Sequence, residues 1–192
     1  MKTLAFGAFA LAMLAGSAAT AQDQNFGPAI PGVCVYHHDR LLAQSTAGQS
    51  VQTGMQRLQQ EVQTELAPYE QFIQTESQQL QQGRGTIPQA DFATREQALA
   101  TRYQEARNLA QTREGELRYT QAMQLQQIAQ AADPIIVALY AERGCGILIS
   151  RETVLRVNPA MDITEAAIQR VNAALPSLSF SRMPVPAQQP AQ

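Results

Sequence analysis

Two long stretches with a narrow apolar seam constrain the fold of this chain more than any other feature of its sequence. From Gln49 to Gln82 and from Phe92 to Gln130, apolar residues recur at steps of three, four or seven, or at sums of these steps. This spacing is typical of an α-helix with one apolar face. At about 1.5 Å per residue, the first helix extends roughly 50 Å. The first seam consists of Val51, Met55, Leu58, Val62, Leu66, Tyr69, Ile73 and Leu80, and the second of Phe92, Leu99, Tyr103, Ala106, Ala110, Leu117, Leu125 and Ile128.

The two predicted helices are joined by Gly83–Pro88, where two glycines and a proline interrupt the pattern. Helices joined by so short a turn run antiparallel, and pairing their seams shelters both from water. The other faces are rich in Gln, Glu, Thr and Ser, so neither helix can be buried on all sides. We therefore predict a projecting hairpin over residues 49–143, with a kink at Pro68. A purely structural coiled coil fits the pattern equally, and the glutamine content also fits a low-complexity tract.

Short apolar segments on either side of the hairpin predict a small body made of strands. Val33–Tyr36 precedes the hairpin, and Cys145–Ile149 and Thr153–Val157 follow it around a polar turn. Runs of this length that are rich in β-branched residues favour strands. The predicted fold class is α+β, with a long antiparallel helical hairpin projecting from body residues 33–48 and 144–175.

Two shorter helices are predicted after the hairpin. Asp133 followed by Pro134 places a cap and a first-position proline at the start of one helix, and Gly144 ends it. The last helix begins after Asp162, and Glu165 three residues later completes a capping box.

The first 21 residues have the composition of a secretory signal peptide. Lys2 supplies the positive end, Leu4–Ala15 the apolar run and Ala19–Ala21 the small-residue cleavage site. We expect cleavage near Ala21 and Gln22. No second stretch approaches the roughly 20 apolar residues that span a bilayer, and no Cys follows the cleavage site to take a lipid. The expected compartment is the bacterial periplasm, without stable membrane insertion.

The ends of the mature chain are predicted not to pack. The leader over residues 22–32 contains two prolines, and the tail over residues 183–192 contains three. One folded domain over residues 33–182 remains.

Charge argues against nucleic acid as a partner. Beyond the signal peptide the chain has 13 Arg and no Lys against 16 Asp plus Glu. A protein that coats nucleic acid through many phosphate contacts needs the opposite balance.

Few residues suggest chemistry. Cys34 and Cys145 flank the hairpin, and in an oxidising compartment they are either a disulfide that staples its two ends or two buried free thiols. His37 and His38 are adjacent, and on a strand they point to opposite faces, which disfavours a shared metal ion. The sequence has no catalytic or nucleotide-binding motif, so we predict a protein that is not an enzyme and needs no cofactor or metal.

The order of these segments resembles the Skp/OmpH family of periplasmic chaperones. Asn158–Asn172 looks like the Asp-Ile-Thr motif that ends the family's sequence pattern, and Pro134–Ile149 is similar to the passage before it. Val33–Gly48, with Ser45, corresponds to the family's entry strand and first turn. The resemblance covers about residues 33–175.

The resemblance implies a homotrimer whose strands form a central barrel from which three hairpins hang. It also implies an ATP-independent holdase that keeps unfolded outer-membrane proteins between the arms and prevents their aggregation. Contacts between copies would then lie in the body. The body and oligomer core is predicted to consist of Val33, Val35, Ile147, Ile149, Val154 and Val157.

The arm departs from the better-known members of the family, which are basic. Between Thr53 and Gln130 it has 7 Arg against 9 acidic residues, so attraction of acidic clients should be weaker, and no basic cluster matches a lipopolysaccharide site. A run of arginines on the return helix is the predicted client contact, although such a run is also typical of a solvated face. These residues are Arg95, Arg102, Arg107, Arg113 and Arg118. The alternative function is a structural or adaptor protein that docks on a complex of the cell envelope.

Overall fold

A computed structural model describes residues 26–186, so the predicted signal peptide and both extreme ends lie outside the described residues. The α+β fold with a long helical hairpin and a small sheet is confirmed. In chain order the helices and strands are β1 (Val33–Tyr36), α1 (His38–Gln44), α2 (Thr46–Gln82), α3 (Gln89–Glu142), β2 (Ile147–Ser150) and α4 (Thr164–Ala174).

Helices α2 and α3 pack against each other as the predicted antiparallel hairpin. They have 37 and 54 residues, which at 1.5 Å per residue corresponds to about 55 Å and 80 Å. The hydroxyl of Ser45 caps α2 by accepting the Gly48 N–H at 3.1 Å. Helix α2 continues through Pro68, which leaves one backbone carbonyl without its helical donor.

The predicted helix boundary at Asp133 is wrong, because α3 continues through Pro134 to Glu142. Ala132 and Leu139 are both buried in the body core, and this packing on either side of the proline holds the helix together across the missing hydrogen bond.

Helix α3 ends next to Gly144, as the sequence predicted. Gly144 has a φ of +63°, and its N–H donates to the carbonyl of Ala141 at 3.1 Å. The Cys145 N–H donates to the carbonyl of Tyr140 at 3.0 Å. This pair of bonds is a Schellman motif, which satisfies the last carbonyls of the helix.

The sheet has two parallel strands, with Val33 opposite Ile147 and Val35 opposite Ile149. The chain passes from β1 to β2 through the whole hairpin. The structure joins Cys34 and Cys145 in a disulfide with the Cα atoms 5.7 Å apart, so both ends of the arm are fixed at one point.

The predicted third strand over Thr153–Val157 does not form. Residues Arg151–Thr153 make a 3₁₀ turn, and residues 154–158 pair with no strand among the described residues. The position beside β1 is instead taken by the next segment, where Asp162 bridges to Val35 and the Ile163 N–H donates to the Val35 carbonyl at 2.9 Å.

The predicted capping box of α4 does not form either. The Asp162 side chain accepts the Thr164 N–H at 2.8 Å, but the backbone N–H of Asp162 donates to the Pro159 carbonyl. Glu165 therefore has no donor to reach at Asp162, and its carboxylate binds Arg40 at 3.0 Å.

The hydrophobic core lies where α1, α4 and the body ends of α2 and α3 meet. Gly48 is needed there, since a Cβ at this position would lie 1.6 Å from the carbonyl oxygen of Leu42. The largest fully buried apolar side chains are Leu41, Leu58, Ile128, Leu139, Val35 and Val171.

The described parts of the predicted leader and tail each make a hydrogen bond to the folded domain, although residues 26–31 and 184–186 are exposed. In the leader, the Gly27 carbonyl accepts from the Asn158 amide at 2.9 Å. In the tail, the Met183 N–H donates to the Thr120 hydroxyl at 2.8 Å. The partners of these segments lie far away in the sequence, which is why the prolines alone suggested disorder.

Candidate functional site

The arm is thinly packed over its middle, although Leu80 near the tip is buried. Leu58 and Val62 are buried between the helices, whereas Leu66 and Ile73, further out on the same seam, are only half-buried. A two-helix layer has no third element to cover it, so its outer seam stays partly in contact with water. The arm therefore offers two long faces, one on each side of the seam.

One face is covered at its base by an extended segment, residues 176–186, which we call the strap. The Leu178 N–H donates to the Ser50 hydroxyl at 2.8 Å, and Arg57 donates to the Phe180 carbonyl at 2.7 Å. Phe180 lies against Gly54, where a Cβ would be 2.5 Å from the ring. The strap thus lies along the groove between the two helices.

Four charged side chains fix the strap and the two helices together. Arg182 contacts Glu65 at 2.6 Å and Glu116 at 3.0 Å. Arg113 of α3 contacts the same two carboxylates at 2.6 and 2.9 Å. The hydrogen bond from Arg182, together with that from Arg113, holds the pKa of Glu65 below its usual value of 4.5.

Charged contacts continue on this side of the arm, which we call the strap face. The guanidinium of Arg102 lies over the rings of Tyr69 and Phe72, 5.1 and 5.5 Å from their centres. Towards the tip, Arg95 of α3 binds Glu76 of α2 at 2.5 Å and lowers the pKa of that carboxyl. The strap face is thereby tied across the seam along most of its length.

The opposite side, the open face, has apolar hollows instead. Its α2 residues, such as Leu66, follow the strap-face residues, such as Glu65, by one position and so lie about 100° further around the helix. A hollow of about 540 Å³ at mid-arm is lined by Leu66, Glu70, Ile73, Gln74, Tyr103, Ala106, Arg107 and Ala110. A second, of about 370 Å³ near the tip, is lined by Ser77, Leu80, Gln81, Arg84, Phe92, Glu96, Leu99, Ala100 and Tyr103.

Tyr103 joins these two hollows and is 61% exposed. A large aromatic ring left in water between two unfilled apolar hollows provides contact area without requiring one particular partner. This arrangement can bind apolar segments of varied sequence.

The structure does not gather the predicted client-facing arginines into one positive patch. Arg95 and Arg113 bind carboxylates across the hairpin, whereas Arg102 and Arg118 pair within α3 with Glu105 and Glu114. Four of the five arginines therefore have a carboxylate partner, and their contact with a client stays a prediction. Arg107, the fifth, lines the mid-arm hollow of the open face.

The predicted body residues lie near one another. A hollow of about 320 Å³ is lined in part by Val33, Val35, Ile149, Val154 and Val157. Ile147 lies on β2 with 57% of its surface exposed. The sequence pattern did not single out Leu155, which is 97% exposed although it is apolar.

Polar residues beside the sheet interact with one another. His37 contacts Glu152 at 3.2 Å, and the hydroxyl of Tyr36 is 3.3 Å from Nδ1 of His38. Burial, with the carboxylates of Glu152 and Asp39, raises the pKa of Tyr36 to about 12, so its phenol stays protonated. Within residues 26–186 no three His, Cys, Asp or Glu side chains are grouped as metal ligands.

Sequence reasoning missed the strap and its seat on Gly54. A signal was present, because Leu178, Phe180 and Arg182 occupy alternate positions and are separated by serines. No helix among the described residues has the length and hydropathy needed to cross a membrane.

Comparison with known proteins finds a family model and similar solved structures. Residues 32–171 match the model of the family described as outer membrane protein (OmpH-like). A crystal structure described as an outer membrane chaperone (OmpH-like) from Caulobacter crescentus CB15 superposes with a TM-score of 0.76 and 28% sequence identity, covering 88% of this chain and 99% of that chain. No curated protein matches the chain.

Proposed function

Because the chain belongs to the OmpH-like family, we propose that it is an ATP-independent periplasmic holdase that binds unfolded outer-membrane β-barrel proteins and prevents their aggregation. The family supports a chaperone role in general, and its members are not enzymes. Residues 1–21 would direct export, with cleavage near Ala21.

The observation that supports this function best is the open face of the arm. Its two hollows are apolar and unfilled, and they lie on helices that extend far beyond the core. An unfolded β-barrel protein exposes apolar side chains and unpaired strand edges, which aggregate in water. Many weak apolar contacts along several arms would give avid capture, and release would need no chemical energy.

The proposed assembly is a homotrimer held together by the bodies. The edge of β2 away from β1 has no partner strand among residues 26–186, and a sheet of two strands is marginal on its own. Ile147 on that strand and Leu155 after it are apolar and exposed. Contacts between copies would cover both, together with the hollow lined by Val33 and Val157.

An adaptor function has less support. A docking protein would need a rigid apolar tip, whereas the turn between α2 and α3 exposes Arg84, and its one large apolar side chain, Ile87, folds back on Gly83. The larger hollow of the open face also lies at mid-arm rather than at its end.

The test is suppression of aggregation. An outer-membrane β-barrel protein is diluted from urea with the mature chain at equal molar amounts of trimer and client and without nucleotide, and light scattering is followed. We expect scattering to fall by more than half. Scattering equal to that with an inert protein would contradict the holdase function.

A matched pair of variants tests whether the open face carries the binding. Tyr103→Ser removes the exposed ring between the hollows, and Phe72→Ser removes a ring of the strap face that is 38% exposed. We expect Tyr103→Ser to weaken protection several-fold and Phe72→Ser to leave it near the wild-type level. The reverse order would contradict the assignment.

Sedimentation tests the assembly. We expect the mass of a trimer for the wild-type chain and a monomer for Leu155→Glu, because a carboxylate there would be desolvated in the interface. A monomeric wild-type chain would contradict the trimer.

A further inference from the structure

The strap has the side-chain pattern of a β-strand although it pairs with no strand of residues 26–186. Leu178, Phe180 and Arg182 are half-buried against the arm, while Ser179 and Ser181 between them are exposed. Alternate side chains of an extended segment point to opposite sides, so one side of the strap faces the groove and the other faces water. The transmembrane strands of β-barrel proteins alternate apolar and polar residues with the same period.

The groove recognises this pattern through features that any extended segment could use. The Ser50 hydroxyl and the Arg57 guanidinium form hydrogen bonds with the strap's backbone, which every extended segment presents. The absent side chain of Gly54 leaves room for an aromatic ring. The carboxylates of Glu65 and Glu116 bind the guanidinium of Arg182, two residues after Phe180.

The contacts that hold the strap can be replaced by those of another extended segment. Between residues 176 and 186 the strap makes no backbone-to-backbone hydrogen bond with any described residue, so its release would open neither a sheet nor a helix. Nη1 of Arg182 is buried without a hydrogen-bond partner, which is a cost of the seated state.

We propose that the groove between α2 and α3 on the strap face is a binding site for extended segments with apolar side chains at alternate positions, and that the strap is its resting occupant. This proposal rests on the holdase function, since the displacing segment is a strand of an unfolded β-barrel client. The client replaces the strap contact by contact: backbone on Ser50 and Arg57, a ring against Gly54, and a cation between the two glutamates.

A single reporter can follow displacement in the full chain. The sequence contains no Trp, so Phe180→Trp places one indole in the seat. Two peptides of 11 residues and identical composition, free of Trp, are then added. One alternates apolar and polar residues with an Arg two positions after a Phe, and the other has its apolar residues in one block.

We expect the alternating peptide to shift the emission to longer wavelength and to increase quenching by acrylamide, both saturably. The block peptide should require at least about tenfold higher concentration. Equal responses to the two peptides, or binding of the alternating peptide without movement of the indole, would overturn the proposal.

A second measurement uses the native aromatic residue. Phe180→Ala with Arg182→Ala vacates the groove, and a dye-labelled alternating peptide should bind this variant at least about tenfold more tightly than the wild-type chain, because the strap no longer competes. The control is Ser179→Ala with Ser181→Ala, which changes only the exposed side and should bind like the wild type. Equal affinity of all three proteins would overturn the proposal.

Gly54→Ala locates the site. Added to the vacated variant, it fills the ring's seat and should abolish the gain in affinity, and since alanine favours a helix more than glycine does, lost helix cannot explain the effect. Retained peptide binding would place the site elsewhere and overturn the assignment.

Suppression of aggregation by the wild-type chain separates the two proposals. A chain that protects the client while the indole does not move contradicts the groove alone. A chain whose groove binds the alternating peptide, but which gives no protection, contradicts the holdase function alone.

Discussion

The body of this protein is packed more tightly than its arm. In the body, Gly48 lies so close to the Leu42 carbonyl that no other residue fits, and a disulfide fixes the ends of the arm beside a buried core. In the arm, Leu66 and Ile73 are only half-buried and the helices are tied by ion pairs. The body specifies one shape, whereas the arm leaves apolar surface exposed, as the proposed binding of unfolded chains requires.

Of the changes that compare the body with the arm, removal of the disulfide should lower the free energy of unfolding most. Cys34→Ser with Cys145→Ser removes a cross-link between residues 111 apart and should lower the free energy of unfolding by about 4 kcal/mol, because the unfolded chain regains the entropy of an open loop. Urea unfolding at fixed protein concentration measures this. Reductant should lower the stability of the wild-type chain similarly and leave the double variant unchanged. A loss below about 1 kcal/mol would show that the body does not depend on the cross-link.

Replacing one glycine at the base of the hairpin and one on the arm compares the packing of the two regions directly. Gly48→Ala forces a methyl group into the Leu42 carbonyl and should cost about 3 kcal/mol. Gly115→Ala on the arm meets only the Val185 side chain at 3.7 Å and should change stability by less than about 1 kcal/mol, in the stabilising direction. Thermal unfolding of both variants measures the difference. Similar losses at the two sites would contradict the contrast.

Replacing two leucines on the same seam should give a smaller difference in stability between the base of the arm and its middle. Leu58 is fully buried at the base, and its replacement by Ala should cost about 2.5 kcal/mol through lost burial and a residual cavity. Leu66 lines an open hollow, so Leu66→Ala should cost about 1 kcal/mol while weakening client binding. Urea unfolding and the aggregation assay separate the two effects. A larger loss of stability at Leu66 would mean that the outer arm is packed like the body.

Acid should have the smallest effect on the free energy of unfolding, and it should act through the ion pairs of the arm. The pKa values of Glu65 and Glu76 are lowered by their arginine partners, so the stability these pairs contribute is fully present above pH 4.5 and is lost as the pH falls through the folded-state values. For Glu65 we expect less than about 1 kcal/mol, since its ion pairs are partly exposed. Unfolding of wild type and Glu65→Gln between pH 7 and pH 3 measures this. An equal pH dependence in both would contradict the assignment.

The hairpin was predictable because its signals are local. The seam positions follow a helical period over dozens of residues, and Gly83–Pro88 marks the turn. Gly144 marks the end of α3 for the same reason, since a left-handed residue after a helix is nearly always glycine. The apolar segments on either side of the hairpin indicated the body, and the family resemblance added the trimer, which stays a prediction.

Contacts between distant parts of the chain were not predictable in this way. Leu178 and Ser50 are 128 residues apart, and the prolines after Arg182 suggested a disordered tail from Met183 onward. The arginines of α3 formed a positive run in the sequence, but the carboxylates of Glu65 and Glu76 approach Arg113 and Arg95 only once the hairpin has closed. Pro134 was taken as a helix start because the buried neighbours that hold α3 together come from other elements.

Hydrogen exchange of the wild-type chain, with and without an unfolded β-barrel client, tests the central claim most directly. If the arm is the binding surface, residues 66–74 and 99–110 should exchange more slowly when the client is present, while α4 in the body should exchange slowly and equally in both states. Client-dependent protection confined to the body, with no change along the arm, would contradict the account.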